Sequence, residues 1–119
     1  SVLELFMNDP TEIWPVFRTI RQMKYFAVLY EYNANHPRLA DVRPAHREFI
    51  EVLHSQEQIL GSGPFTDSKR GALIIVKLAE GSTVEDAVTI MDGDPFWTEE
   101  IVHKREIREW GPVTASFEI

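Results

Sequence analysis

The stretch Arg43-Pro44-Ala45-His46 continues as REFIEVLHSQEQI over residues 47–59 and then as Leu60-Gly61-Ser62-Gly63-Pro64-Phe65, and it decides how the chain is arranged. Proline suits the first position of a helix, because its missing N–H would have no intrahelical partner there. We therefore predict a helix over residues 44–57 and a strand over residues 59–65.

The apolar residues of this helix fall on one broad arc of the helical wheel, formed by Ala45, Phe49, Ile50, Val52 and Leu53. His46 lies at the edge of that arc and in the first turn. The spacing thus predicts that its ring sits where the buried face meets open space.

Two other stretches, over residues 24–32 and 72–78, predict strands that are apolar on both alternating faces. A sheet covered on one side only would show polar residues on its outer face. Both faces of this sheet therefore need a cover, and helices on one side can supply only one.

The second half of the chain predicts a helix, a short helical turn and a last strand. Ser82 and Glu85 fit a capping box ahead of a buried stripe. Asp94-Pro95 begins the short turn, the charged run over residues 101–110 is typical of an edge strand, and residues 113–119 form a final extended arm. The order strand-helix-strand-strand-helix-strand predicts an α+β, ferredoxin-like fold with an antiparallel sheet.

This topology leaves one side of the sheet bare, because both helices pack on the other side. The bare side would carry a row such as Phe26, Val28 and Tyr30, or Leu73 and Ile75, depending on register. Exposing such side chains would forgo roughly 1.5–3 kcal/mol each. We therefore expect a homodimer, or a higher homo-oligomer, in which two sheets pack face to face.

Composition narrows the function. The net charge of −7, from 12 basic and 19 acidic residues, argues against binding nucleic acid or an anionic membrane surface. With no cysteine, the chain has no disulfide or thiolate site. No run approaches the roughly 20 apolar residues of a membrane span, and a cytoplasmic location is the expectation. Residues 1–22 predict an N-terminal helical extension to a domain over residues 23–119.

His46 and Asp94 are the candidates for acid–base chemistry. The positive end of a helix favours a neutral imidazole, which can accept or donate a proton near neutral pH. The alternative is that the His46 ring simply packs at the helix end. Asp94 could orient His46, or it could be an ordinary N-cap ahead of Pro95. Spacing alone does not bring two residues so far apart into contact.

Other residues could form a binding pocket. The segment Gly61-Ser62-Gly63-Pro64 could offer backbone N–H groups to an anion, although glycines at a bulge have the same pattern. Arg43 with Arg47, and Lys69 with Arg70, form local basic patches or plain solvated surface. Five aromatic residues could wall a pocket or fill a core: Tyr30, Tyr32, Phe65, Phe96 and Trp97. The four histidines show no paired metal-ligand spacing, so no metal is expected.

Four segments together resemble the YciI-like (YCII-related) family over roughly residues 23–112: Lys24-Tyr25-Phe26-Ala27-Val28-Leu29-Tyr30, Arg43-Pro44-Ala45-His46, Leu60-Gly61-Ser62-Gly63-Pro64-Phe65 and Gly93-Asp94-Pro95-Phe96. The resemblance implies a dimeric α+β barrel, the architecture of muconolactone isomerases and small cofactor-free monooxygenases. It also implies a His-Asp active site, which falls on His46 and Asp94. Some relatives are linked to dechlorination of hydroxylated aromatic rings. Residues 1–22 and the tail after Pro112 depart from the family pattern.

Three hypotheses follow. The first is a cofactor-free enzyme that performs elimination or dechlorination, isomerisation or hydrolysis on a small, anionic, cyclic or aromatic metabolite. His46 would move the proton and Asp94 would orient it, with the ligand held by Arg43, Ser62, Gly63, Tyr30, Phe65 and Phe96. The second is a non-catalytic module that binds the same small molecule. The third is an interaction protein that docks through residues 1–22.

Overall fold

The computed structural model describes residues 23–33 and 35–119. The predicted helical extension over residues 1–22 lies outside these residues. In chain order the elements are β1 (Lys24–Tyr32), α1 (Leu39–Ser55), β2 (Ile59–Pro64), β3 (Ala72–Leu78), α2 (Val84–Met91), α3 (Pro95–Thr98) and β4 (Val102–Trp110). The predicted order of elements and the α+β, ferredoxin-like class are confirmed.

The four strands form one antiparallel sheet in the order β2-β3-β1-β4. The two central strands, β1 and β3, are the apolar ones, and the charged β4 lies at an edge as predicted. The other edge is β2, whose pairing with β3 shifts register between Ile59 and Gly61. A strand with two glycines and a proline is tolerated at the edge of a sheet, where irregular pairing does not weaken the central strands.

The register decides which face of the sheet is covered. Phe26, Val28 and Tyr30 are buried under the helices with the alternate residues of β3. The opposite face carries Leu29 opposite Leu73, and Leu73 is exposed. Of the two rows that the sequence left open for the bare side, the one on β3 is therefore the correct one.

Helix α1 begins at Leu39, not at the predicted Pro44, which lies inside it. Leu39 and Val42 are both buried, and they extend the apolar stripe one turn toward the N-terminus. Burying two side chains of that size outweighs the single backbone hydrogen bond that an interior proline removes. His46 is therefore two turns from the helix start, beyond the first turn in which the helix dipole acts, and the predicted effect of that dipole on its ring was wrong.

The buried stripe of α1 also differs from the predicted arc. Leu53 is buried and Phe49 packs against the core, but Ala45 and Val52 are exposed. Because the stripe is aligned on Leu39 and Val42, the helix is rotated so that His46 faces inward. The predicted arc was wrong because it began at Pro44 and did not include Leu39 and Val42.

The capping box of α2 is displaced by one residue from the prediction. Thr83, rather than Ser82, is the N-cap, and its partner is Asp86 rather than Glu85. Ser82 instead closes a turn through its N–H to the carbonyl of Ala79. Two adjacent residues of similar capping strength cannot be separated by propensity alone.

Past β4 the chain is irregular, with bends at residues 113–114 and 116–117, rather than the predicted extended arm. Phe117 packs against Tyr25 and Trp110 at one corner of the uncovered face, with ring centroids 6.0 and 6.3 Å away. None of the helices in the described part of the chain has the length and apolarity needed to cross a membrane.

Candidate active site

A histidine and an aspartate from distant parts of the chain meet beneath α1. Nδ1 of His46 lies 2.8 Å from Oδ1 and 3.0 Å from Oδ2 of Asp94. The Asp94 side chain is wholly buried, whereas the His46 side chain is 14% exposed. The imidazole thus joins a buried carboxylate to a surface that solvent can reach.

Two donors besides His46 hold the Asp94 carboxylate. The Tyr30 hydroxyl donates to Oδ2 at 2.7 Å, and the backbone N–H of Phe96 donates to Oδ1 at 2.9 Å. The second contact is the N-cap of α3, so Asp94 caps a helix and contacts His46 at the same time. A buried carboxylate with both oxygens bonded has little freedom to rotate.

Tyr30 can only be a donor here. Burial raises the pKa of its hydroxyl above the ordinary value of 10.0, and the adjacent Asp94 carboxylate raises it further. The hydroxyl therefore keeps its proton across the physiological range and points it at Oδ2.

This network assigns the tautomer of His46. With a carboxylate as acceptor, Nδ1 carries the hydrogen, and the neutral ring then carries its lone pair on Nε2. Among residues 23–33 and 35–119, Nε2 has no hydrogen-bond partner. Nε2 is therefore the atom left available to a ligand.

The His46 ring is also fixed in its plane. It stacks on Phe96 with a centroid separation of 4.0 Å and an interplanar angle of 3°. Tyr32 packs at a tilt on the same phenyl ring, 5.9 Å away. Stacking and the Asp94 contact together restrict both side-chain torsions of the histidine.

A cavity of about 550 Å³ opens beside this pair, within the size range of small-molecule sites. Helix α1 supplies one wall, with Arg43, His46 and Arg47 among its residues. The opposite wall is the edge strand β2, through Ser62, Gly63 and Pro64. The remaining lining residues are Tyr32, Ile50, Glu51, Ala72 and Phe96.

Ser62 and Gly63 of β2 differ in whether their backbone N–H groups are available to a ligand. The N–H of Phe65 bonds to the carbonyl of Gly71, so hydrogen bonds to β3 fall on alternate residues that include Gly63. The N–H of Ser62 therefore points away from β3, toward the unpaired edge of the sheet. Ser62, rather than Gly63, has a backbone donor to spare.

The structure brings most of the predicted site residues together. His46, Arg43, Ser62, Gly63 and Phe96 all line this cavity, and Asp94 lies behind His46.

Two predicted ligand contacts lie elsewhere. Tyr30 is 1% exposed and bonds to Asp94, so it supports the pair from behind. Phe65 lines a separate hollow on the uncovered face of the sheet, together with Leu29. Strand alternation explains this. Phe65 follows Ser62 by three residues, an odd number, so the two side chains point to opposite faces of the sheet.

The aromatic residue Trp97 is also outside the cavity. Its ring stacks on the guanidinium of Arg105 at 3.9 Å, and Arg105 forms an ion pair with Asp92. Arg47 and Ile50, by contrast, line the cavity but were not singled out as ligand contacts. Their spacing of four and seven residues from Arg43 is the signal that could have found them.

No cluster of three or more histidine, aspartate or glutamate side chains within the described residues could hold a metal ion. The prediction that the site needs no metal or cofactor stays a prediction.

Comparison with known proteins gives two findings. The model of a family described as the YCII-related domain matches residues 23–111. One similar solved structure is 5-chloro-2-hydroxyhydroquinone dehydrochlorinase from Burkholderia phenoliruptrix AC1100, in complex with 2,5-dihydroxybenzoquinone. The TM-score is 0.60 at 17% identity, over 73% of this chain and 93% of that chain, a likeness that shows the fold. No curated protein matches by sequence.

Proposed function

The chain belongs to the YCII-related family, and from that premise we propose that it is an acid–base enzyme acting on a small, anionic, cyclic or aromatic metabolite. His46 is the general base and Asp94 orients it. Elimination of a hydrogen halide is the favoured reaction. Isomerisation, which begins with a proton taken from the substrate, and hydrolysis, which begins with one taken from water, use the same base.

One observation carries the proposal: the ring of His46 has one nitrogen bound to a buried carboxylate and the other available at a cavity. A base needs a lone pair within reach of the substrate and a partner that stabilises the charge it acquires. Nε2 meets the first condition and Asp94 the second. The similar structure is that of a dehydrochlorinase, which favours elimination among the three reactions.

The elimination balances without a further reagent. In the keto tautomer of a halogenated, hydroxylated ring, the carbon that bears the halogen is tetrahedral, and Nε2 takes the proton of a ring hydroxyl. The electron pair of that O–H bond forms a carbonyl, the neighbouring ring double bond shifts to the halogen-bearing carbon, and the halide leaves with its own bonding pair. The positive charge of Arg43 at the same cavity favours departure of the halide as an anion. The imidazolium then returns its proton to solvent.

Turnover is tested by release of chloride from a panel of chlorinated hydroxyhydroquinones. Replacing His46 with alanine should lower kcat by about 10²- to 10⁴-fold, the usual contribution of a general base. Asp94→Asn should also lower kcat, since an amide can hold the wrong tautomer of the ring. The matched control is His54→Ala, on the exposed side of the same helix.

Two results would refute the proposal that the protein is an enzyme. One is equal turnover by wild type and His46→Ala. The other is binding of the panel without product, a result that would establish the non-catalytic binding module instead.

We also propose that a second copy of the chain covers the open face of the sheet. Leu73 and Phe65 are more than a third exposed there, and burying such side chains is favourable by roughly 25 cal/mol per Å². Light scattering after size exclusion should give a dimer for wild type and a monomer for Leu73→Lys. Val52→Lys, at a more exposed apolar position on the helical side, should remain dimeric. A monomeric wild type would refute this. The cytoplasmic location stays a prediction from sequence.

A further inference from the structure

Two arginines stand at the mouth of the cavity, one helical turn apart. Arg43 and Arg47 are separated by four residues on α1, so their side chains project from neighbouring positions on one face of the helix. Both line the cavity that contains His46, and both are exposed. Their guanidinium groups can therefore approach the same ligand.

Neither Arg43 nor Arg47 forms an ion pair with a carboxylate among residues 23–33 and 35–119. The ion pairs formed by lysine and arginine there involve Lys24, Arg38, Lys104, Arg105 and Arg108. Glu51 is the one acidic residue lining the cavity, and it lies a further turn along α1 from Arg47. Like charges at this helical spacing repel one another, and an anion bound between them would remove that repulsion.

The opposite wall adds matching donors. Ser62 faces the cavity from β2 with a hydroxyl, and its backbone N–H points to the free edge of the strand. The planar fork of each guanidinium suits the two oxygens of a carboxylate. Phosphate sites usually add a helix N-terminus, but α1 begins at Leu39, more than a turn before Arg43. The donor set therefore favours a carboxylate.

We propose that Arg43, Arg47 and Ser62 bind a carboxylate that the substrate carries in addition to the group that reacts at His46. This rests on the proposed function and names its substrate class: a hydroxylated ring with a carboxylate substituent. The group that gives up its proton lies at Nε2, and the carboxylate lies toward the mouth of the cavity.

The experiment is isothermal titration calorimetry of the full chain with three ring probes: 2,5-dihydroxybenzoate, hydroquinone and phenyl phosphate. The dihydroxybenzoate should bind at least about tenfold more tightly than hydroquinone, which has the same ring without the carboxylate. Arg43→Gln and Arg47→Gln should each weaken its binding by about tenfold, the effect of losing one charge-assisted hydrogen bond. Arg108→Gln, an exposed arginine on β4, should bind like wild type.

The proposal is overturned if hydroquinone binds as tightly as the carboxylate, if phenyl phosphate binds more tightly, if no probe binds, or if the two variants match wild type. Circular dichroism checks that each variant is folded. Failure of the proposed function looks different: His46→Ala would then turn over substrate like wild type, whatever the arginine variants bind.

Discussion

Replacing Tyr30 with phenylalanine removes one hydroxyl from the network that holds Asp94 and changes little else in the core. The lost contact is 2.7 Å long, joins two side chains that are almost fully buried, and ends on a carboxylate. Hydrogen bonds to charged groups contribute about 1.5–3 kcal/mol. Oδ2 keeps its contact with His46 at 3.0 Å, so we expect a loss of unfolding free energy of about 2 kcal/mol.

Urea unfolding at pH 8 measures this loss. The matched control is Tyr25→Phe, because the Tyr25 hydroxyl makes only a 3.4 Å contact with the carbonyl of Glu118. That variant should lose less than about 1 kcal/mol. If the two variants were equally stable, the Tyr30–Asp94 hydrogen bond would not be a significant part of the fold.

The difference in unfolding free energy between wild type and Tyr30→Phe should depend on pH. Because the pKa of Tyr30 is raised in the fold, the native state keeps a proton that the unfolded chain releases near pH 10. Its contribution is complete below pH 10 and falls as the pH rises, by about 1.4 kcal/mol per pH unit. The difference between wild type and Tyr30→Phe should narrow between pH 9 and 11. A constant difference would contradict the assignment.

Three further substitutions, two of them paired with a control variant, test the fold. Gly71→Ala should cost more than about 2 kcal/mol, because φ is +108° and the new Cβ would collide with a backbone carbonyl of β1. Gly61→Ala, with open space around it, should change thermal stability little. Equal melting temperatures for Gly71→Ala and Gly61→Ala would refute the predicted collision at Gly71. Thr83→Ala should cost about 1 kcal/mol and Ser82→Ala much less. If urea unfolding showed the larger loss for Ser82→Ala, Ser82 rather than Thr83 would be the N-cap of α2. Leu53→Ala, at a buried position, should cost about 2–5 kcal/mol by calorimetry, and a value below 1 would contradict the packing of α1.

Much of the fold was legible in local patterns. The apolar runs of β1 and β3, the charged edge strand and the Asp94-Pro95 helix start depend on residues close in sequence. Errors arose where two local signals competed. Pro44 was a stronger start signal than Leu39, and Ser82 was as good a cap as Thr83, until packing decided between them.

The candidate site was only partly predictable. Its main residues were found through chemistry and family resemblance, whereas Tyr30 was expected to touch the ligand and instead supports Asp94. The pattern of β1 placed Tyr30 on an apolar strand, but no pattern indicates which buried partner its hydroxyl will meet.

By itself, therefore, the sequence determined the kinds and order of the elements, because periodicity and capping act over a few residues. Tertiary structure alone decided which face of the sheet is covered, how α1 is rotated, and that His46 meets Asp94 across 48 residues. These depend on strand register and on the packing of distant surfaces, where free energy is set by the whole core rather than by any one segment.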